Sequence, residues 1–116
     1  MSTEPSGISD MAATVKSREL QRALLAEMAG DRAAAARHFL AAAHLELVLA
    51  EDYAAAGSSD LALRSSISAA SCFWRAGEVA RARSLFEEML RGHPEQSAAI
   101  QQVIGDLTRD YAAQAS

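Results

Sequence analysis

Apolar residues in this chain fall into rows spaced by three and four, the interval that puts side chains on one side of an α-helix. Leu20, Ala23, Leu24 and Met28 form the first row, and Gly30 follows it as a stop. The spacing predicts a first helix from about residue 10 to 29. Asp31 then offers a side-chain acceptor to the free N–H groups of a new first turn. No breaker follows until Gly57, so the second helix runs about 26 residues, roughly 39 Å at 1.5 Å per residue. One of its rows is Ala35, Phe39, Ala42, Leu49, Tyr53 and Ala56; a second is Leu40, Ala43, Leu47, Ala50 and Ala54. So wide an apolar arc predicts more than one packing neighbour, with Arg37, His44 and Glu51 facing solvent.

Residues 57–60, Gly-Ser-Ser-Asp, form a short turn with ready caps. A third helix is expected to about Ala76, carrying Leu63, Ile67, Ala70 and Trp74 along one side and Cys72 and Phe73 on the next. Gly77 breaks it, Glu78 opens a fourth helix to about Arg91, and Pro94 suits the first turn of a fifth. That last helix spaces Ile100, Val103, Ile104, Leu107 and Tyr111. Residues 1–9, rich in Ser, Thr, Pro and Gly, are expected to be a disordered tail before a single domain at 10–116. Short loops make sequence neighbours antiparallel. The fold class is all-α, with five antiparallel helices.

Composition agrees. Of 116 residues 27 are Ala and only six are aromatic, so the core is built from closely approaching helices. The net charge of −4 with interspersed Arg and Glu offers no basic stripe, and no nucleic-acid partner is expected. Apolar windows such as Leu-Ala-Ala-Ala-His-Leu-Glu-Leu are interrupted by His and Glu, and the N-terminus carries no signal-peptide pattern, so no membrane role is expected. One cysteine, Cys72, has no partner for an internal disulfide. The expected location is the cytoplasm.

The chain nearly repeats itself. Gly30 and Gly77 stand 47 residues apart (77 − 30), and at that offset Asp31 meets Glu78, Ala35 meets Ala82, Phe39 meets Phe86, Ala42 meets Met89 and Ala23 meets Ala70. Repetition of this kind points to stacked helix hairpins. The stretch from Ala76 to Pro94 resembles the second half of a tetratricopeptide repeat: Gly77, Ala82, Phe86 and Pro94 fall on the family's turn glycine, small residue, aromatic and terminal proline. The first copy departs from the family, with Leu47 at the proline position, Ser66 where a large aromatic is expected, and an offset longer than the family's period of about 34. The resemblance covers about residues 17–110 and implies TPR-like stacked hairpins closed by a C-terminal capping helix.

Motifs for chemistry are missing. His38 and His44 point in different directions on one helix, and there is no HExxH, CxxC or phosphate-cradling Gly-rich loop. No catalytic residue, cofactor or metal is expected, and the chain is not read as an enzyme; an enzymatic or small-ligand-binding bundle is the weakest of the readings weighed. The resemblance implies a groove lined by the first helix of each hairpin. That selects Glu27 and Met28 on the first helix and Arg64, Ser71, Trp74 and Arg75 on the third as partner-binding residues. The Lys and Asn with which some members hold terminal carboxylates are absent. Trp74 beside Arg75 would suit an acidic or apolar peptide; the alternative is that Trp74 packs in the core. The function expected is that of a protein-interaction module, an adaptor or scaffold docking a peptide or helix. The wide apolar arc of the second helix also admits a homodimer, and with it a self-associating structural bundle.

Overall fold

The structure, a computed structural model, describes residues 7–112. It is all-α: α1 (Gly7–Met28), α2 (Arg32–Ala55), α3 (Ser59–Arg75), α4 (Val79–Gly92), a 3-10 turn (Pro94–Gln96) and α5 (Ser97–Asp110), with no strand among the described residues. The helix ends follow the glycines. Gly30 and Gly77 have φ of 78° and 89°, the left-handed region that any Cβ disfavours. Each closes a Schellman turn. Gly30 N–H donates to Glu27 and Asp31 N–H to Ala26, while Gly77 N–H donates to Trp74 and Glu78 N–H to Phe73. Asp31 caps α2 through a 3.1 Å bond from the Ala34 N–H, whereas the expected caps at Ser58 and Glu78 make no side-chain bond. Pro94 opens the 3-10 turn, where its missing N–H is not needed.

One boundary moves. α1 begins at Gly7 rather than near residue 10, because Ser9 is buried and its hydroxyl donates to Asp52 of α2. The rest of the expected tail, residues 1–6, lies outside the described residues.

α2 is the central helix. Ser9 pairs with Asp52, Lys16 with Glu46 and Glu19 with His38, a descending order that sets α1 antiparallel to α2. On the other side Phe39 meets Arg75 and His44 meets Phe73, which sets α3 antiparallel to α2. By length and a mean hydropathy of 1.2 over 18 residues α2 could cross a membrane; that apolarity also serves a helix packed along both sides. The described residues form a flat slab of 47 × 31 × 17 Å. α4 folds back on α3, and α5 packs against both.

The residues matched across the internal repeat meet in one core. Ala23, Ala35, Phe39, Ala42, Ala70, Ala82, Phe86 and Met89 all belong to it, with Phe73, Trp74, Ile100 and Leu107. Ala82 has no exposed surface. A branched side chain there would hold α4 off α3, so Ala82→Leu should destabilise by about 1–3 kcal/mol through overpacking, measured as the shift in a urea midpoint. An unchanged midpoint would mean that α3 and α4 have slack at this crossing.

Candidate functional site

The phase of α1 differs from the one its apolar row predicts. Its inward face carries Ser9, Ala12, Lys16, Glu19, Leu20 and Ala23, small or polar residues that meet Asp52, Glu46 and His38 of α2. Of the expected row only Leu20 and Ala23 turn inward. Leu24 and Met28 are exposed, as are Ile8, Met11, Val15 and Leu25. The row misleads here because the inward face is made of small residues, Ala12 and Ala23, together with polar groups that pair with α2.

The six residues selected from sequence separate into three groups. Trp74 is 0% exposed and packs in the core, with the Arg83 guanidinium 4.8 Å from its ring centroid. It cannot anchor a partner, which corrects the groove reading. Ser71 is half-buried and returns its hydroxyl to the Ile67 carbonyl at 2.9 Å, and Arg64 is exposed on α3, away from the others. α2 lies along both α1 and α3, and no extended contact joins those two helices.

Glu27 and Arg75 do come together. They line a groove of about 520 Å³ at the end of the slab where α1 stops, α2 starts and α3 and α5 stop; Arg32, Asp110 and Tyr111 complete its polar wall. Met28, next to Glu27, is exposed at the same end of α1. The Tyr111 hydroxyl donates to Glu27 Oε2 at 3.1 Å, which ties the last helix to the first. Arg75 Cζ lies 5.3 Å from the Phe39 centroid and 5.6 Å from that of Tyr111. Burial pushes the Tyr111 phenol above its usual range, opposed by Arg75 and assisted by Glu27.

Sequence reasoning passed over Glu46. It is buried on α2, with Lys16 Nζ 3.9 Å away and Ser68 as a hydrogen-bond partner. The signal was available: it interrupts the buried run Ala42, Ala43, Leu49, Ala50 at helical spacing. Burial raises its carboxyl above the ordinary 4.5, with Lys16 and Ser68 opposing. Cys72 lies on the adjoining face of α3, its thiol pushed up to about 11 by burial and by Glu46. A protonated, buried thiol is a poor nucleophile. Among the described residues no group of three or more His, Cys, Asp or Glu is placed to hold a metal ion.

Compared with protein-family models, with curated proteins and with solved structures, the chain matches none.

Two measurements check this description. Trp74→Ala should destabilise by about 3–5 kcal/mol, as removal of a buried aromatic does, and the parent's tryptophan emission should be blue-shifted; a red-shifted parent would place the ring at the surface. For Glu46, a folded-state pKa above the unfolded value means that its stabilising contribution is complete below about pH 4.5 and is lost as pH rises through the folded value. Urea titrations across that window should therefore show the parent losing stability relative to Glu46→Gln as pH rises. The opposite slope would mean that Lys16 and Ser68 outweigh burial.

Proposed function

We propose that this chain is a non-enzymatic protein-interaction module, a tetratricopeptide-like stack of helix hairpins closed by α5, that docks an amphipathic partner on the outer face of α1. The observation that carries the reading is the apolar row left uncovered there. Ile8 and Met11 are 69% exposed, Leu25 66% and Met28 84%, with Val15 and Leu24 also open. Residues 8, 11, 15, 18, 22 and 25 alternate spacings of three and four, so they form one stripe along a helix of 22 residues. Two apolar ends, Ile8, Met11 and Val15 and then Leu25 and Met28, flank Arg18 and Arg22 on this stripe, and exposed apolar surface of this extent marks an interaction site, since covering it recovers about 25 cal/mol per Å².

The tetratricopeptide-like part of the proposal is supported by the burial of every matched core position and by the paired Schellman turns at Gly30 and Gly77. The overlong α2 is its departure from that pattern. A reducing, cytoplasmic setting belongs to the same proposal and accords with Cys72 as a free, buried thiol.

A second copy could also cover α1, because the heptad-like spacing is self-complementary. Arg18 and Arg22 in the middle of the stripe weigh against it, since two antiparallel copies would gather four guanidinium groups at one interface. They favour instead a partner helix with acidic residues between apolar ends.

The double variant Met11→Glu, Leu25→Glu separates these readings. Both positions are exposed, so its thermal midpoint should stay close to the parent's. Sedimentation at several concentrations should find the parent monomeric, and a partner crosslinked through α1 to the parent should be lost from the variant. A parent that dimerises while the variant does not would replace the docking reading with self-association.

A further inference from the structure

We propose that the groove at the turn end of the slab binds a carboxylate, with the Arg75 guanidinium as its receptor and an Asp or Glu side chain of an extended polypeptide as its source. The inference rests on the groove alone and stands whether or not the outer face of α1 docks a partner.

Arg75 closes α3 and is half-buried. Its Cζ lies over two aromatic rings, 5.3 Å from the Phe39 centroid and 5.6 Å from that of Tyr111. Ring contacts of this kind leave the in-plane N–H donors unspent. None of the described ion pairs involves Arg75, and among the described residues its buried Nε has no acceptor. A buried donor without an acceptor is unfavourable, and an acceptor that reached it would relieve that cost.

Two acids share the groove and neither takes this role. Glu27 accepts from the Tyr111 hydroxyl, and Asp110 accepts from Arg109 Nε at 3.3 Å. The same Tyr111–Glu27 bond keeps the tyrosine ring against Arg75. The receptor is therefore set before any ligand arrives, and little ordering is needed on binding.

Charge and shape select the ligand. Arg75 and Arg32 balance Glu27 and Asp110 around the groove, so the rim carries no net charge and a single added carboxylate is tolerated better than a dianion. A planar guanidinium fork matches a planar carboxylate with two parallel N–H···O bonds. The remaining wall is Gly30, Ala35, Ala36 and Ala76, small residues that leave room beside the polar rim. At about 520 Å³ the groove exceeds what a single carboxylate fills, which favours a chain that carries the acid over a small free one.

The test is an amide and arginine side-chain NMR titration of the whole protein with N-acetyl-Ala-Glu-Ala-amide. The matched Gln peptide, sodium acetate and inorganic phosphate are the other arms. The Glu peptide should shift the Arg75 Nε–H and the amides of Gly30, Ala35, Ala36 and Ala76 in a saturating way, with the Gln peptide about tenfold weaker, the loss of roughly one charged hydrogen bond. Arg75→Gln should abolish the shifts with the amide spectrum elsewhere unchanged. Should that variant not fold, Arg75→Lys keeps the charge and the stem but not the fork, and should bind several-fold more weakly. Equal binding of the Glu and Gln peptides, or undiminished binding by a folded Arg75 variant, would overturn the site. Acetate binding as tightly as the peptide would overturn the polypeptide source, and phosphate binding more tightly would overturn the carboxylate.

Discussion

Close approach of helices on alanine is the constraint from which the rest of this structure follows. Ala23, Ala42, Ala43, Ala69, Ala70 and Ala82 have no exposed surface. A methyl group is all that these buried positions carry, which lets helix axes approach closely. Once the axes are close, the space left over is filled by few and large groups: Phe39, Phe73, Trp74, Phe86 and Ile100 are the largest fully buried side chains. A core of this kind is thin, and the described residues spread into a slab 17 Å deep. Such a slab places its concavities at edges and helix ends.

Within that slab, polar pairs set the register of α1. Ser9–Asp52, Lys16–Glu46 and Glu19–His38 cross from α1 to α2, the last at 2.6 Å between Nδ1 and Oε2. Half-buried pairs of this sort add little net stability, because desolvation offsets their attraction, but a slip of α1 would leave each buried partner unmatched. By turning the small and polar side of α1 inward, they turn Ile8, Met11 and Leu25 outward. The exposed row is thus a consequence of how α1 is held.

Arginine is the other recurrent device. Arg81 lies 4.6 Å from the Phe73 centroid and Arg83 4.8 Å from Trp74, so α4 covers the rings of α3 with guanidinium groups. Their heads remain in solvent while their faces shield aromatic surface. Arg75 uses the same contact at the end of α3 but opens on a groove, and there the difference between shielding and receiving lies only in what surrounds the N–H donors.

The sequence by itself determined the helices and their ends. Gly30, Gly57 and Gly77 stop helices through bonds to carbonyls three and five residues back, and Asp31 caps through a residue three ahead; all of this is encoded among near neighbours. The repeat likewise marked Ala35, Phe39, Ala82 and Phe86 as core, since a matched position in each hairpin meets the same kind of neighbour. The tertiary structure decided which sides are covered. Trp74 could be groove or core until α4 laid Arg83 over it. Leu24 shared a helical row with the inward Leu20 and Ala23, yet lies exposed in the fold. Glu46 read as an interruption until Lys16 and Ser68 supplied its partners. Glu27, Arg75 and Tyr111 meet only because α5 returns to the end of α1, 84 residues away in sequence. Periodicity fixes the direction of a side chain relative to its own helix axis, but the rotation of that axis against its neighbours depends on residues far along the chain, which no local pattern contains.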